Sequence, residues 1–346
     1  MDEEMRIAEI RGGALSAKVM DYGANLLALY VDTKEGRRDI VLGYKNLCDY
    51  QDNDPNYGCT IARYANRIGG GKFSIDGQEF HLQKNDRGKN TLHSGNGSLQ
   101  RRRWEITDSS DDHVSFSIKS PDGDLGFPGN MDITVTYTIR DQALIIDYSC
   151  ICDQKSVFAP TNHSYFNLRG EGMGDILDTR VMIHADQFTH TDADSIPDGS
   201  LVDVTGTPMD FRDFHRLGER IDEDYEALQQ AGGYDHNYVL EKTPDLHAPE
   251  YDHDGKMVYE AARARAADDS IEVIVYTDLP GMQLYTGNYI SGQDLGKCGK
   301  IYPRRGGVAF ETQFFPNAVN VKTFEQPLVE ADRPFHTRTV YRFLTE

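Results

Sequence analysis

The chain is poor in cysteine, with five cysteines among 346 residues and no spacing that resembles a disulfide framework. Such sparse use is typical of reducing compartments, so we expect a cytoplasmic protein without disulfides. Cys150 and Cys152 lie two positions apart in a strand-like run, and we expect their thiols to face opposite sides of a sheet. No C-x-x-C pair accompanies them, which argues against a metal or redox site at this place.

Long apolar runs are also missing. No stretch approaches the roughly 18 apolar residues that a membrane-spanning helix requires. Residues 1–6 are acidic and have no apolar segment of the kind found in secretory signals. The sequence therefore predicts a protein that has no contact with membranes.

Basic residues are scarce: 36 Lys and Arg stand against 56 Asp and Glu, for a formal net charge of -20. A surface of this charge repels nucleic acid and anionic lipid, so neither is an expected partner. One local exception is the run from Arg101 to Arg103, next to Trp104. This run is either a solvated turn or a phosphate-binding patch, and composition does not decide between the two.

The common catalytic signatures are absent. There is no phosphate-binding loop, no H-E-x-x-H and no G-x-S-x-G, and the glycines at 69–71 are followed by no helical pattern. Several histidines lie near acidic residues, but no pair has the spacing of a closed metal site. We therefore predict neither a metal nor a cofactor. These histidines are His184, His190, His236, His247 and His253.

The sequence does contain many short segments with strand character. Residues 73–75 and 78–82 flank Asp76-Gly77, a pair that tolerates the positive φ angles of a type I′ hairpin turn. Residues 131–139 alternate between apolar and polar side chains, and 143–148 form the returning strand. Such patterns predict an all-β sandwich or barrel. Further candidate strands are 114–118, 271–276 and 339–343.

Helical patterns are few. The best one spans 219–230, where Ile221, Tyr225 and Leu228 share one face and a glycine pair ends the run. No alternation of strand and helix suggests a parallel sheet. Residues 241–256 are polar and contain two prolines, which indicates a long surface loop rather than a linker. We expect one domain over residues 1–346.

The candidate chemistry is distributed along the chain in His93, His163, Asp235, Glu311 and the pair Asn66-Arg67. Each residue alone has an ordinary structural explanation, such as a turn, a cap, an ion pair or a buried histidine. Together they suit a neutral polyhydroxylated ligand, because charged groups bond hydroxyls in pairs and an acid with a base can move protons. Nearby aromatic residues would suit the apolar face of a sugar, although most are expected in the core. They are Tyr165, Phe166, Tyr234, Phe310, Phe314 and Phe315.

An ordered series of motifs resembles the aldose 1-epimerase (galactose mutarotase) family. Each motif alone is weak, and their order along the chain makes the series specific; among them are the segments around His163, His93, Arg67, Asp235 and Glu311. The chain differs from the family at Ser94, where the usual residue is glycine, and at Ala62, which also replaces a glycine. These differences leave the proposed chemical groups in place and bear on which sugar is preferred. The motifs occupy 21–24, 62–68, 92–95, 162–168, 206–212, 234–238, 281–288 and 311–313.

The resemblance implies a large antiparallel β-sandwich, of the galactose mutarotase-like supersandwich type, with few short helices and an open cleft on one sheet. It implies that Glu311 is the general base and His163 the general acid in the ring opening and closure of free hexoses such as galactose or glucose. It also implies that the sugar is held by Asn66, Arg67, His93, Asp235 and Gln283. Neither metal nor nucleotide is needed for such a reaction, and the protein would act as a monomer or homodimer.

Three alternatives stay open at this level. A hexose-6-phosphate 1-epimerase would need a phosphate clamp, for which 101–103 and Arg304-Arg305 are the candidates. A disaccharide epimerase of the maltose type would need a longer cleft. A non-catalytic sugar sensor would lack the acid or the base, yet both His163 and Glu311 are present.

Overall fold

The protein, described by a computed structural model over residues 5–345, is built almost entirely from antiparallel strands. Most of the acidic segment 1–6 lies outside the described residues. The strands are β1 Ile7–Gly12, β2 Leu15–Met20, β3 Asn25–Thr33, β4 Gly36–Asp39, β5 Thr60–Ile61, β6 Arg67–Ile68, β7 Lys72–Ile75, β8 Gln78–His81, β9 Thr91–Leu92, β10 Glu105–Ser109, β11 His113–Ser120, β12 Met131–Arg140, β13 Ala143–Cys152, β14 Ser156–Val157, β15 Thr161–Asn162, β16 Arg180–Ile183, β17 Gln187–Thr191, β18 Pro197–Asp203, β19 His215–Arg216, β20 Asp235–Val239, β21 Tyr259–Arg265, β22 Ile271–Thr277, β23 Gly281–Tyr285, β24 Ala309–Gln313, β25 Leu328–Val329 and β26 Phe335–Thr345.

Helices are short. The two α-helices are α1 Leu217–Arg220 and α2 Glu226–Ala231. The remaining turns of helix are of the 3₁₀ type, at Leu47–Asp52, Gly69–Gly71, Leu99–Arg101, Asp124–Gly126, Pro244–Leu246, Pro249–Tyr251 and Ala318–Asn320. None of the helices in residues 5–345 is long and apolar enough to cross a membrane. The predicted all-β antiparallel class with few short helices is confirmed.

Three sheets enclose the main core. A nine-stranded sheet has the order β10-β11-β12-β13-β26-β22-β21-β16-β19, a five-stranded sheet the order β18-β17-β20-β23-β24, and a four-stranded sheet the order β1-β2-β3-β4. One hydrophobic cluster joins all three, with Val135 from the first, Leu284 from the second and Val19 from the third. The sheets therefore pack face to face as a sandwich.

Strand alternation sets which side chains enter this core. Along β12, every second residue from Met131 to Ile139 is buried, and the residues between them are more exposed. On β24, Phe310 lies in the core and Thr312 reaches β26, where its hydroxyl bonds to that of Thr339. The intervening Glu311 must then point to the opposite face of the five-stranded sheet, away from the core.

The predicted strands are found, some with longer bounds. The segments at 114–118, 131–139, 143–148, 271–276 and 339–343 fall within β11, β12, β13, β22 and β26. The hairpin prediction is also confirmed, since β7 pairs with β8 around Asp76 and Gly77. Both turn residues have positive φ, 51° and 87°, as a type I′ turn requires.

The single helix predicted over 219–230 is wrong. The chain forms α1 and α2 instead, with an extended residue, Tyr225, at the start of α2. Ile221 and Leu228 are both buried, so the apolar pattern reflects contact with the core and not one continuous helix. The end of the run was correctly predicted, because Gly232 ends α2 in the left-handed conformation.

The expectation for Cys150 and Cys152 is also wrong. Both side chains are buried in the main cluster, while Ile151 between them is exposed. Residues two apart on a strand share a face, so the two thiols point the same way. All five cysteines, each within the described residues, are free.

The polar segment 241–256 is irregular, as expected, but it covers apolar surface. Its Ala248 and Tyr251 pack with Ile145, Ile274 and Val340 on the outer face of the nine-stranded sheet. This loop thus forms a third layer behind the sandwich, on the side opposite to Glu311.

Candidate active site

A cleft of about 450 Å³ opens on the outward face of the five-stranded sheet. Six of the seven predicted site residues line it, and the seventh, Gln283, is not a lining residue but bonds Asp235, which is one. A volume of this size is in the range of small-molecule sites. The lining residues are Tyr44, Asp52, Asp54, Pro55, Asn56, Asn66, Arg67, Leu92, His93, His163, Tyr165, Asp235, Tyr285, Tyr289, Ile290, Ser291, Asp294 and Glu311.

The floor of the cleft comes from three adjacent strands. Gln283 on β23 stands directly opposite Glu311 on β24, and its amide donates a hydrogen bond of 2.7 Å to Asp235 on β20. Glu311 and Gln283 are almost fully buried. Strand register alone therefore brings together three polar residues that lie up to 76 positions apart in the sequence.

His163 faces Glu311 from the other side. It follows β15, and its backbone is fixed by hydrogen bonds with the Cys59 carbonyl and the Gly58 amide. Its Nε2 lies 3.7 Å from Oε1 of Glu311, and both side chains are buried. The candidate acid and the candidate base are thus slightly too far apart for a direct hydrogen bond, as is common in catalytic sites before a ligand binds.

His93 is held in a defined orientation by an unusual turn. It follows β9 with a φ of 49°, and the facing Asn66 has a φ of 59°. The Asn66 amide donates to Nδ1 of His93 at 3.2 Å, and the His93 amide donates to the Asn66 carbonyl at 3.0 Å. Because Nδ1 accepts, the neutral ring carries its proton on Nε2, which is then free to donate to a ligand.

Arg67 enters the cleft from β6 with its guanidinium positioned by Asp86. The Nε of Arg67 lies 2.9 Å from Oδ2 of Asp86, and both side chains are largely buried. The Nε–H edge of the Arg67 guanidinium is thus engaged, and the other guanidinium N–H groups are left for a ligand. The side chain is placed before a ligand arrives, which lowers the entropy lost on binding.

Aromatic rings form the walls. Tyr165 packs against His163 at a centroid distance of 5.0 Å and against Tyr285 at 5.8 Å. Tyr289 stands at the rim, 63 % exposed, roughly parallel to Tyr285. Of the six aromatic residues considered from sequence, only Tyr165 lines the cleft. The other five belong to hydrophobic clusters: Phe166, Tyr234, Phe310, Phe314 and Phe315.

Several buried polar atoms of the floor have no partner among the described residues. Oε2 of Glu311 and Oε1 of Gln283 are both fully buried and accept no hydrogen bond. Leaving such atoms unpaired is unfavourable by about 1–3 kcal/mol each, more for a charged group. Both residues lie next to the cleft, Glu311 in its lining and Gln283 bonded to the lining residue Asp235, so a ligand that supplies hydroxyl donors is a suitable partner.

Burial shifts the pKa of each central group toward its neutral form. Desolvation, with the nearby Asp235 charge, raises the pKa of Glu311 well above its usual value, while Arg67 opposes the shift. Desolvation lowers the pKa of His163 to about 4. Desolvation, with His163 and Arg67, lowers the pKa of His93 well below its usual value. Perturbed acid and base groups in a cleft are typical of catalytic sites.

Sequence reasoning missed the outer part of the cleft. Tyr44, Tyr285 and Tyr289 supply its aromatic walls, and Asp52 with Asp294 makes its rim acidic. Tyr285 lies inside a recognised motif, 281–288, but nothing in its strand pattern separates a cleft residue from a core one. The rim residues belong to loops whose position no periodicity predicts.

A comparison with known families and proteins agrees with this geometry. The family model described as aldose 1-epimerase matches residues 6–342. The chain belongs to this family. The suspected resemblance is therefore confirmed, and family membership makes the chain an isomerase of the aldose 1-epimerase class.

Relatives match over nearly the whole chain. The galactose mutarotase of Homo sapiens is 35 % identical over 97 % of this chain and 93 % of its own length. The aldose 1-epimerase of Escherichia coli (strain K12) is 33 % identical over 99 % of this chain and 96 % of its own. Among solved structures, an aldose epimerase homologue from C. elegans superimposes with a TM-score of 0.88 at 28 % identity, covering 99 % of both chains.

Proposed function

We propose that this protein interconverts the α and β anomers of free hexoses such as galactose or glucose, with Glu311 as general base and His163 as general acid. The observation that carries the proposal is the meeting of these two buried side chains, 3.7 Å apart, in a cleft lined by hydrogen-bonding groups. Relatives described as galactose mutarotase and aldose 1-epimerase support the reaction type.

The reaction needs only proton transfers and a bond rotation. The Glu311 carboxylate removes the proton from the C1 hydroxyl while His163 donates a proton to the ring oxygen, and the C1–O5 bond breaks. The free aldehyde rotates about C1–C2 and recloses on its other face, with both transfers reversed. Each positioned acid or base contributes roughly 10²–10⁴-fold in rate.

The pKa shifts bear on which protonation state reacts. In the sugar-free cleft, burial favours the carboxylic acid at Glu311 and the neutral imidazole at His163. The reactive pair, carboxylate and imidazolium, contains the same single proton. It forms by proton transfer between the two side chains, with no exchange with solvent. The two groups therefore titrate as a coupled pair.

The remaining residues divide into ligands of the sugar and supports. Arg67, His93 and Asp235 present donors and an acceptor to sugar hydroxyls, and Asn66 orients His93 through its backbone. Gln283 acts mainly on Asp235, which its amide holds at 2.7 Å. Tyr165 and Tyr285 suit an apolar sugar face.

The phosphorylated-sugar alternative finds little support in the charges. Arg101 pairs with Asp54 at 2.7 Å, Arg102 with Asp124 at 2.8 Å, and Arg305 with Asp222 at 2.6 Å. These guanidinium groups are already neutralised. The acidic rim would in addition repel a phosphate. A neutral sugar is the better substrate.

The disaccharide alternative draws support from one feature. Tyr289 is 63 % exposed at the rim, beyond Tyr285, and offers a stacking surface for a second sugar ring. The rate with maltose or lactose relative to galactose measures this contribution. A sensor without catalysis has no supporting observation, since both the acid and the base are positioned.

The proposal extends to the domain organisation, the compartment and the assembly. We propose that residues 1–346 act as one domain, because a single cluster joins all three sheets. Five free cysteines suit a reducing compartment such as the cytoplasm. The assembly would be a monomer or a homodimer.

The decisive test is polarimetry of freshly dissolved α-D-galactose and α-D-glucose, corrected for the spontaneous reaction. We expect the rotation to decay faster with protein, to the same equilibrium value. No acceleration with either sugar, together with acceleration of a hexose 6-phosphate, would overturn the proposed substrate class. No acceleration with any sugar would overturn the activity.

A further inference from the structure

A second group of histidines and carboxylates lies far from the cleft. His253 and His336 are 83 positions apart in sequence, yet their rings touch, with Nδ1 of one 3.1 Å from Nδ1 of the other. Asp254 joins them, with Oδ2 2.6 Å from Nδ1 of His336. The ligand atoms of all three residues lie within 4.8 Å of one another.

This cluster is on the opposite side of the sandwich from Glu311. On β26, Thr337 and Thr339 are fully buried, and Thr339 contacts Thr312 of the five-stranded sheet. Because side chains alternate along a strand, His336 points to the outer face of the nine-stranded sheet. The cluster and the sugar cleft are therefore separated by two sheets and the core between them.

A carboxylate on the far side of each ring indicates which nitrogen carries the proton. Nε2 of His336 donates to Oδ1 of Asp147 at 2.9 Å, so the neutral ring keeps an unprotonated Nδ1. Nε2 of His253 is buried and points at Oδ1 of Asp278, 3.6 Å away. That carboxylate favours a proton on Nε2 and a lone pair on Nδ1 there too.

Both Nδ1 lone pairs and the Asp254 carboxylate then converge on one point. Three acceptors within contact distance repel one another unless a proton or a metal cation is shared between them. Arg338 is bound to Asp147 and Lys256 to Asp278, so these two carboxylates are already paired, and the Asp254 carboxylate contacts His336.

We propose that His253, Asp254 and His336 form a binding site for a divalent transition-metal ion, with Zn²⁺ the best match. Two imidazoles and a carboxylate with one position open to solvent are a common Zn²⁺ ligand set. Asp147 and Asp278 supply the carboxylates that ligating histidines usually contact through their other nitrogen.

Binding of a metal ion would require only small increases in the distances between the three ligand atoms. Tetrahedral ligands at about 2.1 Å from a metal are about 3.4 Å apart. The two nitrogens must separate by about 0.3 Å and the Asp254 oxygen from His336 by about 0.8 Å. Asp254 can move, because it is exposed at the tip of a turn, with a φ of 45°, that the backbone bonds between His253 and Lys256 close.

In this arrangement the bound metal ion would have a structural role. It would fasten the segment 241–256, which covers the outer face of the nine-stranded sheet, to the first residues of β26. Binding to the folded chain alone stabilises it. The proposal does not depend on the sugar chemistry, and its test uses no activity measurement as its primary readout.

The test is isothermal titration of the full chain with Zn²⁺ after treatment with a chelator. Exposed Cys48 and Cys298 are replaced by serine to remove competing thiols. We expect one Zn²⁺ per chain and a raised Tm, with no such effect from Mg²⁺. Co²⁺ in place of Zn²⁺ should give visible absorption bands typical of nitrogen and oxygen ligands without a thiolate band.

Variants assign the ligands. His253→Gln, Asp254→Asn and His336→Gln should each weaken Zn²⁺ binding at least tenfold. His247→Gln is the matched control, because His247 lies in the same loop and bonds Asp252 at 2.9 Å outside the cluster. Absence of binding, or binding that the control lowers as much as the ligand variants do, would overturn the proposal. So would an NMR titration that shows His336 as an imidazolium in the presence of excess Zn²⁺.

Discussion

Two pairs of histidines lie on opposite sides of one core, and their partners differ. In the cleft, Glu311 lies 3.7 Å from His163, too far for a hydrogen bond, and burial lowers the pKa of His163 to about 4. Behind the nine-stranded sheet, His336 contacts two carboxylates, at 2.9 and 2.6 Å. Burial lowers its pKa, but the hydrogen bonds and charges of Asp147 and Asp254 outweigh that effect and raise it overall.

The difference shows what separates a proton-transfer site from a cation site built of the same residue types. A histidine that is desolvated and incompletely paired holds its proton weakly and can pass it to a substrate. A histidine bonded on both sides by carboxylates is fixed in position and favours positive charge, either a proton or a metal ion. The predictions below test whether the two sides of the core behave in these separate ways.

The largest effect is expected from removing the acid or the base of the cleft. Glu311→Gln and His163→Asn should each lower kcat by roughly 10²–10⁴-fold, because each residue moves a proton in the transition state. The double variant should lose little more than either single one, since the two act as a unit. Polarimetry with galactose measures all three rates, and circular dichroism verifies the fold.

A matched pair outside the cleft serves as the control. His184 and Glu260 form a contact of 2.9 Å between the same residue types, but neither lines the cleft. His184→Asn and Glu260→Gln should leave the rate within about twofold of the original. If the cleft variants retain near-original turnover, the assignment of acid and base is wrong.

A smaller effect is expected at Arg67, which we place in sugar binding. Arg67→Ala should raise KM by about 10–100-fold, the loss of a hydrogen bond from a charged group, with a lesser change in kcat. Arg102→Ala is the control, since Arg102 is held by Asp124 at 2.8 Å outside the cleft. A large shift of the pH profile with unchanged KM would contradict the binding role.

Sequence patterns predicted the fold well because strand alternation is a local signal. β12 shows its buried face in every second residue, and the Asp76-Gly77 turn has the φ angles that its sequence demands. The helix predicted at 219–230 is wrong because the spacing of its apolar residues reflects their contact with the core. A segment that is not one continuous helix can make the same contacts. The prediction that Cys150 and Cys152 face opposite sides of the sheet was wrong because residues two apart on a strand share a face.

The site was only partly predictable. Glu311 and His163 were assigned through family motifs, since nothing local distinguishes Glu311 from an ordinary polar residue at a strand end. Gln283 stays a predicted sugar-binding residue, and its amide bonds Asp235, a contact that its sequence position does not reveal. The contact between His253 and His336 depends on a loop that folds over a sheet, and a separation of 83 positions conceals it from any spacing rule.

The pH profile distinguishes a buried proton-sharing pair from independent groups. Since burial lowers the pKa of His163 to about 4 and raises that of Glu311, the pair retains one proton throughout the range between the two values. We expect kcat/KM to show no acid limb between about pH 5 and 7, and to fall only at the alkaline end, where the pair loses its shared proton. An acid limb near pH 6.5, the value of an unperturbed histidine, would show that His163 titrates alone.

The smallest effect concerns stability. The folded pKa of Glu311 lies above its ordinary value of 4.5, so above that pH the unfolded chain releases a proton that the folded chain keeps. The contribution of this proton to the free energy of unfolding is fully present below pH 4.5. It is lost as pH rises toward the folded pKa, at about 1.4 kcal/mol per pH unit. Glu311→Gln lacks this contribution.

The Tm of Glu311→Gln should therefore exceed that of the original chain by an amount that grows with pH, at about 2 °C per unit in a chain of this size. His336→Gln should show a slope of the same sign in a higher pH window, because the pKa of His336 is also raised and its contribution to stability, present below pH 6.5, is lost as pH rises. A His336→Gln slope that begins near pH 4.5, as expected for Glu311→Gln, would contradict this assignment. Thermal unfolding between pH 4 and 8 measures both slopes, and the pH at which each begins reports which group holds the extra proton in the folded chain.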